Sequence, residues 1–300
     1  MSNRIAVIGM GASGQAAAQL ALSKGKEVTC IDSRENAPVI PNTAQRYGGD
    51  PSDDLCTHDR IVLSPGVPLQ HPMLTKAKQK GIPIISELGF AAEHIDIPML
   101  AITGTNGKSS TTWFTSQFLQ QAGRTPFIGG NFGTALSILA VNPQDYDIAV
   151  VEVSSYQMEA PGSFSPFAAA ALNLTPDHLA RHKTLESYAE HKRRIFSNQN
   201  AEQWAISPFG DPRLHAQSPA QKLWLGAAPG GIVEEHGIRL SGTPCDGFFS
   251  TKDSTLYGDH NIQNLMAGLL LCSTIGIDPA SLDVTQLKPL AHRLELIPTS

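Results

Sequence analysis

Apolar residues in this chain gather into short unbroken runs, each followed by a glycine-bearing loop and a stretch with helical spacing. Ile5-Ala6-Val7-Ile8 is the first such run, and a strand apolar at every position is one buried on both faces, as in a parallel sheet. The loop Gly9-Met10-Gly11-Ala12-Ser13-Gly14 follows, then helical spacing over 15–23 ended by Gly25, then a strand over 27–31 closed by Asp32. Further strands are predicted over 60–63 and 82–85. The pattern starts again with Pro98-Met99-Leu100-Ala101, a loop over 102–112, and a helix over 113–122 stopped by Gly123. Strand runs over 148–153 and 168–174, a helix over 187–196 and a long apolar helix opening near 257 and running to 275 complete the reading. Strands alternating with helices predict an α/β fold. The expected layout is a Rossmann-like domain over 1–95, then a P-loop-type domain with a mostly parallel central sheet over 96–300.

Composition narrows the classes. Charged residues make up 16% of the 300 residues and hydrophobic residues 41%, an ordinary globular balance. A net charge of -5 supplies no basic footprint for nucleic acid. No apolar run approaches the ~20 residues that cross a bilayer, and the first residues carry neither a basic n-region nor a cleavage site. Cys30, Cys56, Cys245 and Cys272 lack any C-x-x-C spacing, so they read as thiols in a reducing compartment. The expectation is a cytoplasmic monomer without nucleic-acid or membrane partners.

The candidate chemistry sits at the ends of the strands. Gly104-Thr105-Asn106-Gly107-Lys108-Ser109-Ser110 follows a strand and opens a helix. This is the layout in which loop amides cradle phosphates, the lysine reaches the outer phosphates and the serine hydroxyl holds magnesium. The strict pattern asks for glycine where Ile102 stands, and a plain glycine turn capping a helix remains the alternative. The first loop has the G-x-G-x-x-G form with Asp32 about 20 residues on, which by itself predicts NAD, although any phosphate-bearing ligand can use such a turn. Ser64-Pro65-Gly66-Val67-Pro68 is a tight turn at a strand's carboxyl end, readable as ligand contact or as turn chemistry. Glu152, ending an apolar strand, suits a magnesium-facing carboxylate or a solvated boundary. Asp177 and His178 can ligate or orient a metal, or simply open a helix. Lys192 reads as a surface charge on its own helix. Asn261 and Asn264, one turn apart, can read a base edge or cap a helix.

The order of these motifs carries a resemblance. Gly104-Thr-Asn-Gly-Lys-Ser, Gly129-Gly-Asn, Glu152-Val-Ser-Ser-Tyr-Gln, Asn173-Leu-Thr-Pro-Asp-His, Lys192, Gly258-Asp-His-Asn-x-x-Asn264 and His292-Arg-Leu-Glu295 occur in that sequence. As a set they resemble the Mur ligase family of ATP-dependent amide-forming enzymes. The first domain, with Met10-Gly-Ala-Ser-Gly14 and Leu63-Ser-Pro-Gly-Val-Pro68, is most similar to members that add D-glutamate to UDP-N-acetylmuramoyl-L-alanine. The resemblance implies that the glycine turn holds a UDP-linked precursor instead of NAD, through Ala12, Ser13, Asp32, Ser33, Arg34 and Gly66. It implies that Asn131, Ser154 and Gln157 hold the muramoyl end. Gly104 to Ser110, Asn261, Asn264 and Arg293 would bind ATP. Ser109, Glu152, His178 and a carbamoylated Lys192 would bind Mg2+, with Lys108, His178 and Lys192 as the catalytic set. Family members continue into a third α/β domain bearing the amino-acid site. A chain ending at Ser300 is therefore expected to be part of a longer enzyme that binds the UDP precursor yet ligates weakly or not at all. Ala180 stands where an acid is usual and Ala291 where proline is usual. The competing readings are a sibling ligase adding another amino acid and a non-catalytic nucleotide-binding module using the first turn for NAD.

Overall fold

The computed structural model describes residues 3–49, 51–254, 256 and 258–290. Arg293, and with it the His292-Arg-Leu-Glu295 motif, lies outside the described residues. The chain folds as two compact units, Met1–Asp96 with Gly133–Asp145 and Ser154–Phe164, and Ile97–Phe132 with Tyr146–Val153 and Ser165–Ser300.

In the first unit β1 (Arg4–Ile8), α1 (Ala12–Ser23), β2 (Glu27–Asp32), β3 (Ala44–Tyr47), α2 (Ser52–Leu55), β4 (Arg60–Leu63), α3 (Thr75–Gln79), β5 (Ile84–Ser86) and α4 (Glu87–Ala92) follow one another. The strands form one parallel sheet in the order β3-β2-β1-β4-β5. Ile5 to Ile8 are buried on both faces, as their unbroken apolar run requires. The order reverses beside β1, and such a switch point is where open α/β sheets hold ligands, outside the carboxyl ends of the strands.

The second unit opens with β6 (Met99–Thr103), α5 (Lys108–Gln121) and β7 (Pro126–Gly130). The chain then passes to α6 (Leu136–Val141), which packs with the first unit, and returns in β8 (Ile148–Glu152). After the 154–164 segment, also part of the first unit, come β9 (Ala168–Ala171), α7 (Leu179–His182), α8 (Leu185–Arg193), β10 (Trp204–Pro208), β11 (Gln221–Leu225), β12 (Gly230–Glu234), β13 (Gly237–Ser241), β14 (Gly247–Ser250) and α9 (Asp259–Ser273). The sheet runs β14-β13-β12-β11-β10-β9-β6-β8-β7. It is parallel from β7 to β12 and antiparallel from β12 to β14. Its core joins Phe114 and Phe118 of α5 to Leu265, Met266 and Leu269 of α9. The two helices approach closely at Gly268, where a Cβ would stand 3.0 Å from the Thr115 hydroxyl. That contact packs α5, the helix that follows the glycine loop over 104–107.

A single cut near residue 95 does not describe this chain, because two later segments turn back to the first unit. Hydrogen bonds give the reason: the Ser137 amide donates to buried Glu87 (2.7 Å), the Ser86 amide to Ala160 O (2.7 Å), and the Leu69 amide to Glu159 Oε2 (3.0 Å). Helix α5 begins at Lys108, five residues before the apolar pattern predicts it. Its first turn is polar, but Thr111 and Thr112 in it are fully buried. Strand β9 is shorter than its apolar run, because residues 172–174 leave the sheet to meet the phosphate loop. Helix α8 is capped by Thr184, whose hydroxyl accepts from the Ser187 amide (3.1 Å). No helix among the described residues is long and apolar enough to cross a membrane.

Candidate functional site

In the second unit a cavity of about 730 Å³ opens over the loop between β6 and α5. Gly104 (φ +155°) and Gly107 (φ +84°) take backbone angles that favour glycine. Gly107 caps α5 with no side chain, so the helix's first-turn amides and dipole face the cavity with partial positive charge. The loop from Thr105 to Ser110 lines this space together with Asn131, Glu152, Asn261 and Asn264. Residues predicted from four separate stretches of sequence thus share one cavity.

Two lysines converge on one loop carbonyl. Lys108 Nζ donates to Gly104 O (2.9 Å) and Thr105 O (2.8 Å), and Lys192 Nζ donates to the same Gly104 O (2.6 Å). Lys192 is 1% exposed, not the surface charge that its helix alone suggests, and its ammonium lies 4.3 Å from the centroid of the Tyr188 ring. Burial, reinforced by the charge on Lys108 and opposed by Asp177 and Glu152, lowers its pKa to about 7. The strand-end Glu152 is likewise buried. Its Oε1 accepts from Asn131 Nδ2 (2.7 Å), while Oε2 has no hydrogen-bond partner. An anionic oxygen left unpaired in the interior is costly, and a cation in the cavity would satisfy it. Among the described residues no cluster of three or more His, Cys, Asp or Glu is assembled for a metal. A magnesium ion, which keeps several waters and takes one or two carboxylates, needs no such cage, and Glu152 with the Ser109 hydroxyl fits it.

His178 starts α7 with φ 52°, and its imidazole is 46% exposed, 3.6 Å from Asp177 Oδ2. It faces the Tyr188 ring edge-on at 6.0 Å and is not among the cavity's lining residues. Asn261 is half-buried, whereas Asn264 is buried, its Oδ1 accepting from the Thr111 hydroxyl (3.2 Å). A Cβ on Gly107 would run into that same amide oxygen. The two asparagines predicted on similar faces therefore have different surroundings. Asn173 and Thr175, to which the sequence alone assigns no role, are bonded directly to the phosphate loop. Residues 67 positions apart in the chain leave no spacing signal from which to find that contact.

In the first unit a second cavity, about 450 Å³, lies at the switch point of the sheet, lined by Gly9, Asp32, Ser33, Gly66 and their neighbours. Ala12 and Ser13 occupy the first turn of α1, which has no side-chain cap. Asp32 is nearly saturated. It accepts from the Met10 amide (2.6 Å), from the Arg34 amide (2.9 Å) and from the Arg34 guanidinium through Nε and Nη2 (both 2.9 Å). The Arg34 side chain beside Asp32 holds its carboxyl well below the usual carboxylate range. An acid so engaged is poorly placed to take a ribose hydroxyl in the manner of an NAD site. Ser154 and Gln157 bond each other, Ser154 N and Oγ donating to Gln157 Oε1 (2.8 and 2.9 Å), within the 154–164 segment of this unit.

Comparison with known proteins finds matches in both units. Residues 102–272 match the Mur ligase middle domain, and residues 3–86 match the Mur ligase MurD-like N-terminal domain. The chain is 35% identical to the UDP-N-acetylmuramoylalanine--D-glutamate ligase of Anaeromyxobacter dehalogenans, covering 98% of this chain and 69% of that protein. It is 36% identical to the ligase of the same name from Geotalea daltonii, over 98% of this chain and 69% of the relative. Among solved structures, its fold is similar to the UDP-N-acetylmuramate:L-alanyl-gamma-D-glutamyl-meso-diaminopimelate ligase of Neisseria meningitides (TM-score 0.61, 19% identity, 97% of this chain and 99% of that one). It is also similar to MurF of Acinetobacter baumannii (TM-score 0.59, 17% identity, 99% and 65%). A phosphate loop with its paired lysines, a Rossmann-like unit before it and these matches lead to one conclusion: the chain belongs to the Mur ligase family.

Proposed function

We propose that this protein binds UDP-N-acetylmuramoyl-L-alanine through its first unit and ATP through its second, and serves the ATP-dependent joining of D-glutamate to that precursor in cytoplasmic peptidoglycan synthesis, acting as a monomer. The observation that carries the reading is the meeting of Lys108, Lys192 and the unpaired buried oxygen of Glu152 around one phosphate loop. In the reaction the precursor's alanyl carboxylate oxygen attacks the γ-phosphorus of ATP, and the bond to the β-γ bridging oxygen breaks to release ADP. The D-glutamate amine then attacks the acyl carbon, loses a proton and expels phosphate. Lys108 and the first-turn amides of α5 stabilise charge on the transferring phosphoryl oxygens. Ser109 and Glu152 would hold magnesium, which supplies further charge neutralisation on those oxygens when bound. Asn261 and Asn264 line the same cavity and would contact adenine, and Asn131 braces Glu152.

Lys192 suits modification to a carbamate. Its pKa of about 7 leaves the amine largely neutral at pH 8. The nitrogen lone pair attacks carbon dioxide and a proton leaves, converting a buried cation into a carboxylate-like group. Bicarbonate labelled with carbon-13 should give a carbamate resonance in the protein at pH 8 that is absent from Lys192→Ala; a spectrum without it removes this assignment.

Calorimetric titration with UDP-N-acetylmuramoyl-L-alanine, with NADH in parallel, tests the substrate. Saturable binding of the UDP precursor, weakened by Asp32→Ala, together with no heat from NADH, is the expected result. Binding of NADH alone would overturn the reading in favour of a dinucleotide module.

A further inference from the structure

The phosphate loop does not hold its shape alone. The Asn106 amide donates to Asn173 Oδ1 (2.9 Å), and Asn173 Nδ2 donates back to Asn106 O (3.0 Å). One side-chain amide therefore satisfies both backbone polar groups of Asn106, as a neighbouring strand would. Beside it the Thr105 amide donates to Asn173 O (3.0 Å), the Thr105 hydroxyl to Thr175 O (3.2 Å), and the Thr175 amide to the Thr105 hydroxyl (3.1 Å). These bonds continue the β6–β9 pairing, in which Thr103 faces Ala171, past the end of the sheet and into the loop.

We propose that Asn173 is a positioning residue of the nucleotide site. By occupying both backbone groups of Asn106 it removes that amide from the anion cradle and fixes the loop, so that the amides from Gly107 to Ser110 face the phosphates. Asn106 N–H groups in a mobile loop would otherwise turn toward any anion. The geometry also gives the glycine at 107 its use: the chain is pinned at 106 and must enter α5 at 108, and the φ of +84° between them makes that turn. Asn173 is half-buried and is not a reacting group. Its effect on the site is exerted through the loop.

This inference rests on the reading of the cavity in the second unit as an ATP site, and two ligands separate the two claims. Amide-resolved hydrogen exchange on the wild-type chain should find the Asn106 amide protected before any ligand and unchanged by inorganic tripolyphosphate, while the 107–110 amides gain protection. Rapid exchange at Asn106 in the free protein would overturn the proposal, whatever happens at 107–110. In Asn173→Ala the Asn106 amide should exchange fast, and both ATP and tripolyphosphate should bind about tenfold more weakly, the scale of one or two lost polar contacts. The ratio of ATP to GTP affinity should stay as in the wild type, because a loop effect is blind to the base. Affinities within twofold of wild type, or a change confined to base preference, would refute the assignment. A wild-type chain that binds neither ATP nor tripolyphosphate would instead refute the ATP-site reading. Because the exchange pattern is read on the wild type, a variant that fails to fold does not remove the test.

Discussion

Lys108 is held in place by two loop carbonyls, Gly104 O and Thr105 O. On the proposed reading its ammonium would meet the phosphates without first ordering a four-carbon chain, and that saving in side-chain entropy would add to the electrostatic effect. Lys108→Ala should therefore lower the rate of ADP release in the presence of both substrates by at least ~100-fold, the scale of one deleted charge-stabilising contact. Retention of a near-wild-type rate would mean that the loop serves some other anion. At this scale the sequence was readable where chemistry follows local spacing. Lysine and serine directly after a glycine, at a helix start, are legible as the edge of a loop cavity, and both line it. Lys192 does not: nothing in its neighbours, His191 and Arg193, distinguishes a buried cation from a surface one, and only the fold puts it against Gly104 and Tyr188.

At the scale of elements the tightest junction is between β1 and α1. A Cβ on Gly14 would collide with Gly9 O and stand 2.8 Å from the Ser64 hydroxyl, which itself donates to Gly9 O (2.5 Å). Gly14→Ala should destabilise the protein by ~1–3 kcal/mol, the usual cost of overpacking, seen as a lower melting temperature. An unchanged melting temperature would show that the helix can retreat from the strand. Helices α4 and α6 meet at Glu87, fully buried, with Oε1 accepting from Ser137 N and Oε2 unpaired. Burial raises the pKa of Glu87 above its ordinary 4.5, so the folded protein favours the protonated acid. The stability tied to that proton is fully present below pH 4.5 and is lost as pH rises through the folded-state pKa. Glu87→Gln should raise the melting temperature at pH 8 and leave it unchanged at pH 4; an equal shift at both would point to a packing effect. The strands that the pattern revealed, β1, β2, β4, β5, β6, β8 and β9, each carry buried apolar residues, and all but the edge strand β5 lie inside their sheets. It also missed β10 and β11, which lie inside the second sheet, and the other strands it missed are of another kind. β3 (Ala-Gln-Arg-Tyr) is a half-exposed edge strand. β7 (Pro-Phe-Ile-Gly-Gly) has the residues of a loop, and β12 to β14 pair as antiparallel hairpins whose glycines dilute the apolar signal.

For the molecule as a whole, charge and composition set only the class, and the division into units could not be read from any boundary signal. The glycines at 129, 130 and 133 read as a loop and not as a change of unit, and no glycine or proline cluster marks residue 154. The clue is tertiary: α6 buries Leu136 and Leu139, and the hydrogen bonds to Glu87, Ser86 and Leu69 come from segments far along the sequence. A fragment of residues 1–95 should consequently lack a cooperative thermal transition, because it leaves Glu87 and the faces of α1 and α4 without their cover. A sharp transition in that fragment would show that its own sheet suffices. The two returning segments also bear on how the protein is made. Synthesis proceeds from the N-terminus, and domains commonly fold in that order as they emerge. Here the first unit is delivered in three instalments ending at Phe164. By then β6, α5, β7 and β8 of the second sheet have left the ribosome, so the earlier-born unit cannot be finished until the later one is under way.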